Sequence, residues 1–467
     1  MSFTSFGFVA FFVAVFGLYY LPPMRRHQVA LLVGASLLLY WLEAGDFLIL
    51  LLVSSLSTAG LSYVLAGRRG RFAAAALGVA GNLLVLGFFK YKSLFLSGAG
   101  AAPRDLVQAL LHAPLPIGIS FYTFHGISLI VDTYRDPEPL IGAVGRRWPQ
   151  HFAKTLLYMS FFPQLVAGPI AKGRFLLPQI GPKSFAGIAW QESLECLIHG
   201  YFLKSVLADN LQQFTAPMTT PAAWGVDSAY HLAAMMLGYS AQIYADFAGY
   251  SLIAIGLGKL LGYELPQNFN NPYLAGSFAE FWRRWHMSLS SWLRDYLYIP
   301  LGGNRRGAGR TYLNLFLVMA LGGLWHGAAW KFAAWGIWHG LALMAERALA
   351  GRLRHLSALR ILGIPLVFLY VTIGWLLFKL DSFSDVVAYL ARLLALPRAA
   401  GDGGVIEANV MLILTALTLL YQVAMEILAK RDPGARLAAA RPAALALMLV
   451  FILFGSGDRN AFIYFQF

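Results

Sequence analysis

Apolar runs of about 18 residues or more, the length a helix needs to cross a bilayer, recur along the whole chain and are separated by short polar loops. Such spans fit 3–21, 28–43, 47–66, 72–89, 115–132, 190–207, 229–262, 311–329, 333–348, 360–380, 408–428 and 442–456. The loops alternate in sign. Arg25 and Arg26 are followed by Glu43 and Asp46, then by Arg68, Arg69 and Arg71; near the other end, Arg352 and Arg354 alternate with Asp381, Asp385, Asp402 and Glu407. Basic loops stay in the cytoplasm, so the pattern predicts a multi-pass helical bundle of about eleven to thirteen spans. Lys90 and Lys92 run against the alternation. Segment 384–396 is amphipathic and reads as lying in the membrane interface.

Residues 152–189 break the rhythm with four prolines and are basic at Lys172, Arg174 and Lys183. This piece is expected to enter and leave on the cytoplasmic side. Non-helical backbone at membrane depth must be covered by protein or line a water-filled cavity, and Gln164 is expected to line one.

Composition agrees with the pattern. Of 467 residues, 58% are hydrophobic and 12% charged, where a soluble domain has about 25% charged, and the mean hydropathy is +0.62. The net charge of +14 is spread over short clusters between apolar runs, so no nucleic-acid surface is expected. Cys196 is the only cysteine; it allows no internal disulfide and reads as a packing residue. The first apolar run lacks a preceding basic region and is followed by Arg25 and Arg26, the reverse of a cleaved signal, so this helix is expected to remain with its N-terminus outside.

Ionisable residues in a membrane chain usually mark function, and residues 268–340 concentrate them: Arg283, Arg284, His286, Arg294, Asp295, His326 and His339. Residues 280–296 read as one interfacial or re-entrant helix, with Trp282, Trp285, His286, Leu289, Trp292 and Leu293 forming an apolar stripe. His326 lies 15 residues beyond Thr311, about 22 Å up a helix rising from the basic loop at 302–310, and so in the outer half of the membrane. Gly322 and Gly323 let another backbone approach just before it. A neutral imidazole at that depth is suited to general-base work. His326 and His339 both sit in WHG triplets, and spacing does not choose between them. Asp246, deep in an apolar run, carries either direct chemistry or a structural role as an N-cap or a partner for a buried arginine. Arg283 and Arg284 suit a phosphorylated donor arriving from the cytoplasm. Neither HExxH nor a CxxC pair is present, so no metal is expected.

The stretch FNNPYLAGSFAEFWRRWHMSLSSWLRDYLYIPLGGNRRG, followed by LGGLWHGAAWKFAAWGIWHG, closely resembles the membrane-bound O-acyltransferase (MBOAT) family. Within it, the resemblance is to the bacterial branch that O-acetylates exopolysaccharides such as alginate. GISFYTFHGISLIVDTYR at 118–135, FFPQLVAGPI at 161–170, YADFAGYS at 244–251 and the terminal FIYFQF are also similar. The resemblance implies an all-α polytopic bundle around a central tunnel, forming one domain over 1–467. It assigns catalysis to His326, with His286 in the same tunnel. Arg283, Arg284, Trp285, Trp325, Asp246, Gln164 and Asn270 are expected to line the tunnel or bind the donor. It further implies acetyl-CoA as donor, a periplasmic acetyltransferase- or esterase-like partner, an exported polysaccharide with its synthase, and a location in the cell inner membrane.

Two other functions compete with this one. D-alanyl transfer to an envelope polymer shares the WHMS and WHG motifs, although the YLYIPLGGNRRG wording leans towards acetyl. A transporter of polysaccharide or lipid-linked substrate would use the same polar residues without bond chemistry, yet it calls for internal repeats, and none is evident beyond the WHG pair.

Overall fold

Inside a bilayer every backbone N–H and C=O must be satisfied within the segment, so long apolar runs become helices. The computed structural model describes residues 3–65, 71–95, 112–145, 147–165, 168–221, 224, 228–353, 359–395, 402–430 and 435–458, and among these there is no strand. Among the helices are α1 (Phe6–Tyr19), α2 (Gln28–Ala44), α3 (Phe47–Leu65), α4 (Arg71–Phe95), α5 (Ile119–Arg135), α6 (Pro137–Val144), α7 (Trp148–Ser160), α8 (Trp190–Tyr201) and α9 (Ala229–Leu260). They continue with α10 (Phe278–Arg284), α11 (Met287–Leu293), α12 (Ala308–His326), α13 (Trp330–Leu353), α14 (Leu359–Lys379), α15 (Phe383–Leu394), α16 (Asp402–Lys430) and α17 (Ala435–Phe454). Among the described residues, four segments are long and apolar enough to cross a membrane by composition: Phe47–Leu65, Arg71–Lys92, Ile361–Lys379 and Gly404–Ala429. Large apolar side chains such as Phe6, Ile361 and Leu453 point outward, as a lipid-facing surface requires. Arg68, Arg69, Arg146, Arg354 and the FIYFQF motif lie outside the described residues.

The chain forms two compact units, residues 1–196 with 253–266, and residues 197–252 with 267–467. In the N-terminal unit, α3, α5 and α7 meet through buried polar contacts, among them Ser62 Oγ with His151 Nε2 at 2.9 Å and Ser128 Oγ with the Tyr158 hydroxyl at 2.7 Å. The irregular stretch after α7 is tied to this frame. Ser36 Oγ accepts from Phe162 N at 3.2 Å, the Tyr158 hydroxyl donates to the Ala171 carbonyl at 3.0 Å, and Gln28 Nε2 donates to the Lys183 carbonyl at 3.0 Å. Protein thus covers non-helical backbone whose donors and acceptors would be costly at membrane depth.

In the C-terminal unit, α12 and α13 form a close hairpin. A Cβ on Gly323 would collide with the Phe332 carbonyl oxygen and stand 2.9 Å from the Gly336 Cα; Gly336 in turn lies against the Met319 carbonyl. Gly322 instead faces the Leu293 side chain. Backbones this close leave no room for a methyl group, so Gly323→Ala should cost about 1–3 kcal/mol, read as earlier thermal unfolding of the detergent-solubilised protein.

α8 runs directly into a π-helical turn, Phe202–Ala208, and then into the short helix Asp209–Thr215. π-turns concentrate at special sites, and this one carries Lys204, fully buried, paired with Asp209 at 2.7 Å and with Asp246 of α9 at 2.6 Å. Gly249 permits the approach, since a Cβ there would stand 2.8 Å from Lys204 N. Asp246 is not an N-cap, and the buried cation beside it is Lys204. Asp246 lies mid-helix, and a lysine more than forty positions earlier in the chain offsets its desolvation.

Candidate active site

The predicted single helix over 280–296 is broken. α10 ends at Arg284, Trp285 is extended (φ −98°, ψ 130°), and His286 takes the left-handed conformation (φ 43°, ψ 53°) before α11 begins at Met287. The apolar stripe persists through the break because both short helices bury the same face. The cause of the break is segment 268–270. Met287 N donates to the Asn268 carbonyl at 2.8 Å and Asn270 N donates to the Arg284 carbonyl at 2.9 Å, so the backbone pairs with a neighbouring strand of chain instead of its own previous turn.

Asn268 also fixes the imidazole. Its Nδ2 donates to Ser251 Oγ at 3.0 Å, which leaves Oδ1 to accept from Ser288 Oγ at 2.8 Å and from His286 Nδ1 at 2.9 Å. An amide oxygen only accepts, so the proton sits on Nδ1 and the ring lone pair on Nε2. The His286 ring stands edge-on to Phe247 at 4.7 Å and faces Trp325 at 6.3 Å. The sequence reading missed Asn268. Its signal was present in the polar run NFNNP within an apolar chain.

Trp325 connects the two predicted histidines, since its ring centroid is also 5.0 Å from that of His326, the last residue of α12. Trp335 of α13 lies perpendicular to His326 at 5.2 Å, and Phe378 of α14 lies at 5.4 Å. The same Trp335 stands 4.9 Å from His339, which is stacked on Phe281 at 6.1 Å and bordered by Trp282 at 5.1 Å. Trp285 extends the wall, touching Trp375 at 4.9 Å and Tyr273 at 6.1 Å. All three imidazoles therefore share one aromatic frame. They differ in access, because His326 is 8% exposed at a helix end, whereas His339 is 1% exposed in mid-helix. Trp335, absent from the sequence reading, joins them.

A second feature lies at the start of α10. Ser277 Oγ accepts from Glu280 N at 3.1 Å and Glu280 returns to Gly276 N at 3.1 Å, a local N-cap that the S-x-x-E spacing encodes. Glu346 of α13 adds its carboxylate to Phe278 N at 2.5 Å and Ala279 N at 3.2 Å, where the helix N-terminus favours negative charge. Beside this cap lies a cavity of about 510 Å³ lined by Asn270, Gly276, Ser277, Glu280, Arg283 and Arg284. Arg284 is held by Glu280 at 2.9 Å and by Glu426 of α16 at 2.9 Å. Arg283 is exposed at the cavity. Three predicted donor-binding residues thus share one hollow. Asp246 lies in the Lys204 cluster, and Gln164 belongs to the N-terminal unit, fully buried with Nε2 donating to the Tyr158 carbonyl at 3.0 Å. Among the described residues no three His, Cys, Asp or Glu side chains group to hold a metal ion.

Residues 142–383 match the model of the membrane-bound O-acyltransferase family. The chain is 40% identical over 404 residues to the probable alginate O-acetylase AlgI of Pseudomonas aeruginosa, covering 82% of this chain and 72% of that protein. It is 36% identical over 346 residues to the peptidoglycan O-acetyltransferase of Helicobacter pylori, covering 68% and 64%. With the teichoic acid D-alanyltransferase of Bacillus subtilis it shares 30% identity over 254 residues, 52% and 59% of the two chains.

Proposed function

The chain belongs to the membrane-bound O-acyltransferase family, and from that premise we propose that it takes an acetyl group from cytoplasmic acetyl-CoA for O-acetylation of an exported polysaccharide such as alginate. It is a multi-pass membrane acyltransferase; the acetyl group, the polymer, a periplasmic acetyltransferase- or esterase-like partner and the inner membrane are parts of the proposal. The observation that carries the mechanism is the indole of Trp325, against which both His286 and His326 rest.

In this mechanism His326 removes the proton from the accepting hydroxyl. The alkoxide oxygen forms a bond to the thioester carbonyl carbon, the carbon–sulfur bond breaks, and the leaving thiolate recovers the proton. His286, its Nδ1–H held by Asn268, keeps Nε2 as an acceptor and in this reading positions the accepting group. The aromatic walls exclude water that would otherwise hydrolyse the activated donor. The nucleotide end of acetyl-CoA fits the cavity beside α10, where Arg283 supplies a cation for phosphate and Arg284, already neutralised by two carboxylates, holds the walls.

Reconstituted protein given labelled acetyl-CoA should release CoA and transfer label. Arg283→Ala should raise KM for acetyl-CoA roughly tenfold and leave kcat little changed, about what one charge-assisted phosphate contact contributes. Movement of intact polymer with no thioester cleavage would sink the proposal. Similarity to a D-alanyltransferase makes D-alanyl transfer the second reading, and label transfer from acetyl-CoA separates the two.

A further inference from the structure

At one end of the N-terminal unit a lysine is held in a fixed seat that contains no carboxylate. Gln28, the buried first residue of α2, uses its whole amide to build that seat. Its Nε2 donates to the carbonyls of Tyr19 and Lys183, at 2.9 and 3.0 Å, and its Oε1 accepts from Lys183 N at 2.7 Å. The Lys183 stem lies against Gly262, where a Cβ would stand 3.0 Å from its Cγ and Cδ, and its ammonium rests 4.9 Å over the Tyr263 ring. None of the ion pairs among the described residues includes Lys183, and burial lowers its pKa from the ordinary lysine value. Glu264, next to Tyr263, is engaged by Lys259 at 3.1 Å, and the same lysine takes Glu192 at 2.6 Å.

Two more cations belong to this end. Arg25 and Arg26 are exposed on the 3₁₀ turn Pro22–Arg26, three and two residues before Gln28, and they too are absent from those ion pairs. Aromatic side chains border them. Phe185, two residues beyond Lys183, lies 5.5 Å from Tyr20, 6.4 Å from Phe16 and 5.4 Å from Trp190 of α8, and Phe185 and Trp190 are 53% and 41% exposed. Exposed aromatics and a snorkelling lysine are ordinary at a membrane interface. A snorkelling side chain, however, needs neither a backbone clamp nor a slot beside a glycine. A cation that is half desolvated and held in place calls for an anion to offset the lost water. The aromatic rim places that anion at headgroup depth, with apolar chain attached, because a dissolved phosphate would gain nothing from Phe185 and Trp190.

We propose that Lys183, Arg25 and Arg26 form a seat for the phosphate of an anionic phospholipid of the cytoplasmic leaflet, whose acyl chains lie along Phe16, Phe185 and Trp190. Every residue of this seat belongs to the N-terminal unit, so the inference is independent of the acyltransferase reading.

Native mass spectrometry of the full-length protein, delipidated in detergent and given equal amounts of phosphatidylglycerol and phosphatidylcholine with matched chains, tests the seat. Wild type should carry about fivefold more phosphatidylglycerol than phosphatidylcholine, the scale that one basic side chain near an anionic headgroup supplies. Lys183→Ala leaves the clamp intact, because Gln28 holds only backbone atoms of that residue, and should lower the phosphatidylglycerol adduct about three- to tenfold without changing phosphatidylcholine. The double variant Arg25→Ala/Arg26→Ala should do the same, and Lys183→Arg should keep most of the adduct, which guards against a folding fault in the alanine protein. Arg305→Ala/Arg306→Ala, an exposed basic pair of the C-terminal unit, should leave the adduct unchanged. Equal adducts of the two lipids on wild type would overturn the seat. So would an equal loss in Arg305→Ala/Arg306→Ala, which would reduce the preference to loose surface charge, or displacement of the lipid by soluble glycerol phosphate, which would make it a site for dissolved phosphate.

Discussion

Replacing His326 with Ala is expected to lower acyl transfer by at least about a hundredfold while the protein stays at its normal abundance in the membrane. Both halves of this expectation come from where the side chain sits. As the last residue of α12, His326 has ordinary helix-end backbone, and its ring makes edge contacts with Trp325, Trp335 and Phe378. Such aromatic contacts contribute about 0.5–1.5 kcal/mol each, and part of that is recovered when neighbouring rings relax. The lost base has no such replacement. His339→Ala should behave the other way round. That ring is enclosed by Phe281, Trp282, Trp335, Tyr370 and Trp375, so its removal should lower thermal stability while the remaining folded enzyme keeps measurable turnover. Turnover per folded molecule, with abundance measured by fluorescence-detected size exclusion, separates the two. Complete loss of turnover in His339→Ala with unchanged abundance would move the chemistry to the other WHG triplet, and retained acetylation in His326→Ala would end the assignment.

The second large effect concerns folding. Lys204→Met should deplete folded protein severely, because it removes the cation that both Asp209 and Asp246 pair with, and both carboxylates are at most 2% exposed. Breaking a buried pair by deleting one partner typically costs about 3–5 kcal/mol, a large part of the stability of many domains. Asp246→Ala should be milder, since Lys204 keeps Asp209 as its counter-ion. The order of the two variants in a thermal unfolding series is the test. An Asp246→Asn protein that folds normally yet transfers no acyl group would return Asp246 to direct chemistry.

Much of this architecture was legible in the sequence because membrane helices announce themselves by length and apolarity. The spans read at 28–43, 229–262 and 311–329 correspond to α2, α9 and α12 within a few residues, and the amphipathic 384–396 segment is α15. The bundle's polar joints were not legible. Nothing local pairs Asp246 with Lys204, because the contact depends on how a π-turn and Gly249 bring two helices together. The break at Trp285 and His286 was hidden for a different reason. Trp282, Trp285, Leu289 and Trp292 keep helical spacing, yet hydrogen bonds from a segment some eighteen positions earlier displace the helix's own. The sharing of Trp325 by the two histidines and the clustering of Arg283, Arg284 and Asn270 around one cavity likewise required the tertiary structure.

The left-handed backbone at His286 constrains how its role can be dissected. Outside glycine, asparagine and aspartate tolerate that conformation best, whereas a β-branched side chain is a steric outlier there. An isoleucine or valine scan would therefore merge a backbone fault with a missing imidazole and make almost any residue look essential. His286→Asn keeps the kink within ordinary conformational reach while deleting the ring, so it is the substitution whose kinetics report on the imidazole itself. The same geometry gives protein engineers a short menu at this position, where side-chain chemistry can be varied only among residues that accept the turn.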